Sequence, residues 1–141
     1  MAECFDALRA RTKRFGFDVI DLVKAMPHNV ASDAVGRQLI RAATSVSANH
    51  RAAGRARSRK EFIAKLGLVV EEADEAEFWL EALLHCNLAP RAAAERLYRE
   101  ATELRAIFVK SVATAKHRTA EMTVAIVVCI AFLIVSSVSV L

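Results

Sequence analysis

Proline and glycine, the residues that most often interrupt helices, are scarce in this chain. Its 141 residues include 2 prolines and 4 glycines, and aromatic residues make up only 6%. Alanine, leucine, valine, glutamate and arginine dominate instead, and such side chains lose little conformational freedom in a helix. A chain of this length is large enough for one domain with its own core. The composition therefore predicts a single domain of long helices.

Cysteine is also rare, and its positions follow no motif. The chain has three, far apart in the sequence: Cys4, Cys86 and Cys129. An odd number of scattered thiols argues against a disulfide scaffold and for a reducing compartment. An apolar signal run is missing as well, because Glu3, Asp6 and Arg9 interrupt the first ten residues. We therefore expect a cytoplasmic domain.

Sequence signatures of catalysis are missing too. The chain shows no nucleophile–base–orienter set, no glycine-rich phosphate loop and no cluster of residues at metal-ligand spacing. His50 stands alone on helix two and is more typical of a core residue than of a ligand or a catalyst. The sequence thus predicts a protein that is not an enzyme and that uses no cofactor, metal or small-molecule substrate.

Four helices are predicted over the first 116 residues. The first spans residues 2–26 and ends at Pro27, because a proline disfavours helical geometry in the residue before it. The second begins near Ser32 or Asp33 and ends at Gly54, which we expect to form a left-handed C-cap. The third begins with a capping box from Ser58 to Glu61, and the fourth spans residues 91–116. Short connections then imply an up-down-up-down four-helix bundle, all-α in class.

Each predicted helix carries an apolar face with helical spacing, and these faces define the expected core. On helix one it consists of Phe5, Leu8, Phe15, Val19, Leu22 and Met26, with Thr12 at one polar position. On helix two it consists of Val35, Leu39, Ala42, Val46 and Ala53. Helix three contributes Phe62, Leu66, Val69, Ala73, Ala76, Leu80 and Leu84. Helix four contributes Ala94, Leu97, Ala101, Leu104, Phe108 and Val112.

The last twenty residues differ from the rest, because residues 122–141 carry no charge. Twenty helical residues span about 30 Å, the hydrocarbon thickness of a bilayer. Residues 1–118 therefore read as the bundle, and 119–141 as an extra apolar helix that crosses or anchors to the inner face of a membrane. Lys116, His117 and Arg118 precede it, which favours a cytoplasmic bundle. A self-association segment and a chain end foreign to this domain are the alternatives.

Charge is distributed unevenly along the middle of the chain. Residues 37–60 hold seven bases and no acid, whereas residues 71–81 hold six acids and no base. The bases are Arg37, Arg41, Arg51, Arg55, Arg57, Arg59 and Lys60. At about 100° per residue, the first four cluster on the face of helix two opposite its apolar side. This face could bind phosphates, pair with another subunit or simply be solvated.

A central stretch of the sequence resembles a known family. The run QLIRAATSVSAN at 38–49, then Gly54 and SRKEFI at 58–63, is similar to the four-helix-bundle proteins encoded in ribosomal-RNA intervening sequences. That family includes the accessory variability protein of diversity-generating retroelements. Glu75 and Glu77 occupy the positions of its paired glutamates. His50 and Arg51 depart from its usual Ala-Glu-Gly, and the apolar tail is foreign to its pattern. The resemblance implies a homopentamer that binds nucleic acid through basic surfaces.

We therefore expect a non-enzymatic oligomer, of the five copies that the resemblance implies, that binds structured RNA or duplex nucleic acid through these seven bases. Aromatic residues for stacking on single strands are missing from the basic face. The basic face of helix two and the acidic face of helix three could meet between copies, with apolar support. The expected interface residues are Glu71, Glu75, Phe78 and Trp79. The alternative is a membrane-tethered protein-interaction scaffold with no nucleic-acid role.

Overall fold

The computed structural model describes the backbone of residues 2–138 and the side chains of residues 5–118 and 121. Four helices make up this part of the chain: α1 (Ala2–Lys24), α2 (Val30–Ala53), α3 (Arg59–His85) and α4 (Arg91–Val138). Each helix packs on the next, and α1 also packs on α4, which closes the group. The predicted all-α four-helix bundle is therefore confirmed.

The four apolar faces meet as predicted. Phe15, Leu39, Leu80 and Phe108 are among the largest side chains that are fully buried, and Thr12 is buried beside them. The Thr12 hydroxyl donates to the carbonyl of Arg9 at 3.1 Å, so its polar group is satisfied within α1. Helix three differs in detail, because Leu83 is fully buried whereas the predicted Phe62 and Leu84 are only partly so.

The N-terminal caps differ slightly from the prediction. Helix α2 begins before Ser32, because the side-chain oxygen of Asn29 accepts the Ser32 N–H at 2.9 Å. At α3 the predicted cap is present, and the Ser58 hydroxyl accepts the Glu61 N–H at 3.1 Å. The Glu61 carboxylate then reaches back to the N–H of Arg57 at 2.9 Å. Side chains thus satisfy helix-start amides that have no partner within the helix.

The prediction for Gly54 is wrong, and the structure gives another reason for a glycine there. Gly54 has φ −64° and ψ −11°, which is right-handed helical geometry. A Cβ atom at this position would lie 2.7 Å from Cε1 of Phe5. Gly54 therefore makes room for an aromatic ring. The left-handed cap of the described chain lies instead at Asn87, with φ 54°.

Helix α4 does not end near Lys116, so the predicted separate apolar helix is not found. The backbone continues as one helix to Val138, because residues 117–138 contain neither glycine nor proline to stop it. The side chains of the predicted membrane segment, 122–141, lie outside the described residues. Within the residues that are described, no helical stretch is long and apolar enough to cross a membrane.

Candidate nucleic-acid interface

One end of the bundle collects basic side chains from all four helices. The first turns of α1, the last turn of α2 and the start of α3 meet there beside residues 110–118 of α4. The Arg59 guanidinium joins two of these elements by donating to the Ala115 carbonyl at 3.2 Å. We call this region the basic end and define it by ten residues: Arg9, Lys13, Arg51, Arg55, Arg57, Arg59, Lys60, Lys110, Lys116 and Arg118.

The predicted row of arginines on α2 is divided by the structure. Arg37, Arg41 and Arg51 are all exposed, as expected. Arg41 is not available as a free cation, because its guanidinium forms an ion pair with Glu75 of α3. Arg51 lies about 21 Å further along α2 than Arg37, at 1.5 Å per residue. Within this row, Arg41 therefore faces an acid of α3, whereas Arg51 lies at the basic end.

Arg51 has cationic neighbours that the sequence analysis did not select. Arg9 and Lys13 of α1 line a hollow with Arg51, together with Asp6. Among the described residues no acid lies within ion-pair distance of Arg9, Lys13 or Arg51. The run RARTKR at 9–14 signals this second basic stripe, which was overlooked because it lies outside the basic segment 37–60.

The other four predicted bases lie in the α2–α3 connection and the first turn of α3. All four are exposed, and Arg55 and Lys60 form no ion pair within the described chain. Arg57 lies 3.6 Å from the Glu61 carboxylate. Because Arg55 follows the end of α2, its predicted place on the helical wheel does not apply. These four residues are Arg55, Arg57, Arg59 and Lys60.

A cavity of about 540 Å³ continues the basic end between α3 and α4. Phe62, Leu66 and Ile107 give it apolar walls, while Lys110 and Arg118 stand at its edge with Arg59. Lys110 was not selected from the sequence, since it lies on a predicted core helix, and Arg118 was named only in the positive flank of the apolar tail. The fold thus extends the basic surface from α1 and α2 to α4.

The opposite end of the bundle, which we call the balanced end and define by residues 18–33 and 85–96, neutralises its cations. Arg96 donates to Asp18 at 2.9 Å, and Lys24 lies 3.1 Å from Asp21. Arg91 pairs with Glu95 of its own helix at 2.8 Å. Each of these cations therefore has a carboxylate within hydrogen-bond reach.

Ion pairs between helices also cross the middle of the bundle. Arg11 of α1 donates to Glu100 and Glu103 of α4, each at 2.6 Å, and these bonds raise the pKa of its guanidinium. Arg105 of α4 donates to Glu77 of α3 at 2.6 Å, and this bond likewise raises the pKa of Arg105. Glu77 therefore pairs with an arginine of a neighbouring helix and has a structural role.

The four predicted interface residues lie on α3 in different environments. Glu71 is exposed, and Phe78 is 56% exposed. Glu75 pairs with Arg41 and also accepts the indole N–H of Trp79 at 3.1 Å, within one chain. The rings of Phe78 and Trp79 meet edge to face at 4.9 Å. Contact between the basic and acidic faces therefore occurs inside the subunit at Arg41, and the interface remains a prediction.

His50 is a core residue, as its isolation in the sequence indicates. It is 1% exposed and lies between the rings of Phe5 and Phe108, at centroid distances of 4.3 and 5.1 Å. Burial lowers its pKa, and Arg9 adds a smaller repulsion. Its Nδ1 atom has no hydrogen-bond partner among the described residues. In the described part of the chain, no group of three or more potential ligands could hold a metal.

Comparison with known proteins identifies the family. The model of the 23S rRNA-intervening sequence protein family matches residues 8–110, most of the chain. The chain belongs to this family. A crystal structure of a protein with unknown function from the S23 ribosomal protein family of Bacteroides thetaiotaomicron has a TM-score of 0.67. The two chains are 28% identical, and the similarity covers 74% of this chain and 97% of the other. No curated protein matches.

Family membership confirms the resemblance drawn from residues 38–63. The paired glutamates of the resemblance have separate partners in this structure. Glu75 faces α2 through Arg41, whereas Glu77 faces α4 through Arg105 and the Thr102 hydroxyl at 3.1 Å. These two acids therefore connect α3 to both of its neighbours.

Proposed function

We propose that this protein is a non-enzymatic nucleic-acid-binding member of its family, and that the basic end binds structured RNA or duplex nucleic acid. The observation that carries the proposal is the contrast between the two ends of the bundle. Cations at the balanced end have carboxylate partners, whereas Arg51, Arg55 and Lys60 have none within the described chain. The family description, which refers to a ribosomal-RNA intervening sequence, makes RNA the first ligand to test.

Exposed, unpaired guanidinium and ammonium groups suit a phosphate backbone. Arginine binds phosphate oxygens with two parallel N–H donors, and lysine acts as a compact charge. Each phosphate that such a group neutralises releases counterions, so affinity falls steeply as salt rises. Because the basic residues come from all four helices and one loop, the surface is suited to a folded ligand that contacts several elements at once.

The test compares two triple variants with the same change in charge. Arg51, Arg55 and Lys60 are changed to Glu in one variant, and Lys24, Arg91 and Arg99 at or near the balanced end are changed to Glu in the other. Binding of a fluorescent RNA hairpin is measured by anisotropy between about 50 and 200 mM salt, a range over which six to ten phosphate contacts weaken binding about 10³–10⁵-fold.

We expect the basic-end variant to lose most of its affinity and its salt dependence, while the control keeps both. Arg41 is left unchanged in both variants, because a glutamate there would face Glu75. Circular dichroism checks that both variants stay folded. Equal losses in the two folded variants would argue for a non-specific charge effect. No retention of wild type on any nucleic acid would favour the protein-interaction scaffold.

We also propose that the protein acts as a homo-oligomer, with five copies as the number that the family resemblance implies. Phe78 is the better anchor of the two predicted aromatics, since Trp79 is half-buried and bonded to Glu75. Light scattering of wild type should give a multiple of the 15.5 kDa chain mass. Phe78→Ala should lower that mass, whereas Val30→Ala, at an exposed apolar residue of the balanced end, should leave it unchanged. A monomer mass for wild type would contradict the proposal.

A further inference from the structure

A shallow groove between α1 and α2 adjoins the hollow of Arg9, Lys13 and Arg51, and an aromatic ring forms part of it. The groove encloses about 170 Å³. Its lining residues are Lys13, Gly16, Phe17, Thr44, Ser47, Ala48 and Arg51. The bases of α2 have no aromatic residue among them in the sequence, because this one belongs to α1. The fold therefore brings an aromatic ring to Arg51, the member of the arginine row that lies at the basic end.

Phe17 is held at the surface and is not part of the core. Its side chain is 56% exposed, whereas Phe15, two residues earlier, is 1% exposed and fills the apolar face of α1. The Lys13 ammonium lies 5.5 Å from the centroid of the Phe17 ring. The ring thus carries a cation at one side and remains open to solvent over about half of its surface.

Part of the groove beside the ring is lined by small residues. Gly16 lies close to α2, since a Cβ atom there would be 3.4 Å from the Ala43 carbonyl oxygen. Ala48 and Ser47 add only small side chains on the α2 side. A flat group lying against Phe17 would therefore meet little steric obstruction from the groove itself.

An aromatic face flanked by cations is the arrangement that proteins use for unpaired bases. Every base has a π face that stacks on an aromatic ring, and basic groups nearby bind the adjoining phosphates. A base inside a duplex is already stacked on its neighbours, so an exposed ring offers it nothing. A hydroxyl such as that of Ser47 can bond the 2′-hydroxyl that distinguishes RNA from DNA.

We propose that the α1–α2 groove binds one unpaired nucleotide of a structured RNA, with its base stacked on Phe17 and its phosphates held by Lys13 and Arg51. The inference rests on the proposed function and narrows it. The preferred ligand becomes a folded RNA with a bulged or looped nucleotide, rather than a fully paired helix. The basic end supplies the affinity for the paired part, and the groove supplies the preference for the unpaired base.

The test uses the full chain and two RNA hairpins that differ in one feature. One hairpin has a single bulged nucleotide in its stem, and in the other that nucleotide is paired. The readout is the ratio of the two dissociation constants, measured by anisotropy at one salt concentration. We expect wild type to prefer the bulged hairpin about 10-fold, the order of effect of one stacked base. Phe17→Ala should bring the ratio to about one, and Phe17→Trp should restore it.

Leu68→Ala provides the control, because Leu68 is an exposed apolar residue of α3 (42%) and does not line the groove. This variant should keep the ratio. A second measurement places 5-iodouridine at the bulge and maps the photo-crosslink by mass spectrometry. The adduct is expected on the peptide that contains Phe17.

Two results would overturn the inference and leave the proposed function standing: equal affinity of wild type for the two hairpins, or a Phe17→Ala variant that keeps the preference. A crosslink that maps to α3 or α4 would also overturn it. Salt-dependent binding of both hairpins, lost in the Arg51, Arg55 and Lys60 variant, would still support the proposed function. Failure to bind either hairpin at low salt would overturn both proposals.

Discussion

The basic end and the balanced end are built from the same four helices, yet their cations differ in whether they have carboxylate partners. At the balanced end, Arg96 and Lys24 each lie beside a carboxylate. At the basic end, Arg51 and Lys60 have no such partner within the described chain. At the balanced end every lysine and arginine therefore has an acid beside it. Excess charge at the other end serves no evident purpose in folding, and this contrast is the basis of the binding surface that we propose.

The stability of the bundle does not account for this cluster of bases either. An exposed ion pair contributes about 0–1 kcal/mol to stability, and like charges placed together are destabilising by similar amounts. A cluster of exposed bases without acids is therefore neutral at best for the fold. Its presence is explained more readily by a polyanionic partner, whose phosphates would replace the missing carboxylates.

The largest effect on stability is expected from adding a methyl group at Gly54, at the basic end. Gly54→Ala places a Cβ atom against the ring of Phe5, 2.7 Å from Cε1, and overpacking of this kind costs about 1–3 kcal/mol. The free energy of unfolding in urea measures the loss. Gly67→Ala is the control, since a Cβ there meets nothing within 4 Å, and it should stabilise α3 by about 0.5–1 kcal/mol. A stabilising Gly54→Ala would contradict the packing.

Acid should weaken the bundle through His50, which lies beneath the basic end. Burial lowers the pKa of His50 in the folded state below its ordinary value of 6.5. The unfolded chain therefore binds the proton first as pH falls. The bundle therefore has its full stability above about pH 6.5, where His50 is neutral in both states. Below that pH the free energy of unfolding falls until the folded-state pKa is reached. The total loss is about 1.4 kcal/mol for each unit by which folding lowers the pKa.

Urea unfolding at a series of pH values between about 7.5 and 5 measures this loss. The His50→Leu variant places an apolar side chain of similar size between Phe5 and Phe108. Because leucine does not bind a proton, the stability of this variant should depend less on pH over this range. Identical pH profiles for wild type and His50→Leu would assign the acid sensitivity to other groups.

Charge reversals at the two ends should have opposite effects on stability. Arg96→Glu removes the pair with Asp18 and places two acids together, so a loss of up to about 1 kcal/mol is expected. Arg51→Glu relieves repulsion from Arg9 and Lys13 and should leave stability unchanged or raise it by a few tenths of a kcal/mol. Thermal unfolding at low salt measures both, and high salt should shrink both effects. A clear loss with Arg51→Glu would assign the basic end a structural role.

The smallest effect is expected from removing the chain after residue 118. Ala115 is the last buried side chain among those described, and Lys116, His117 and Arg118 are exposed. A chain of residues 1–118 should therefore keep its helical bundle and the thermal midpoint of the full chain within a few degrees. Circular dichroism with thermal melting checks this. An insoluble or unfolded product would show that the bundle depends on residues beyond 118.

Local patterns in the sequence predicted the core well and the surface poorly. Phe15, Leu39 and Leu80 follow from helical spacing alone, since an apolar face has to be covered. Whether Arg41 is a free cation could not be predicted, because that depends on which residue of α3 lies opposite it. The same holds for Phe17 and Arg51, which are 34 positions apart and meet only in the folded bundle.

Gly54 shows a second limit of sequence reasoning. A glycine after a helix most often adopts left-handed geometry, and this general rule gave the wrong reason for the residue. The requirement comes from Phe5, almost fifty positions earlier, whose ring needs the space. After the end of α3, the residue with left-handed geometry is Asn87, as its φ of 54° shows.

The single tryptophan of the chain is a fluorescent probe of the contact between α2 and α3, a contact that we call the seam. Trp79 is half-buried, and its indole N–H donates to the carboxylate that also holds Arg41. Indole emission shifts with the polarity and hydrogen bonding of its surroundings, so its wavelength should report on the Arg41–Glu75 pair without any added dye. A titration with RNA can then be followed at the basic end by anisotropy and at this seam by intrinsic fluorescence, in the same cuvette.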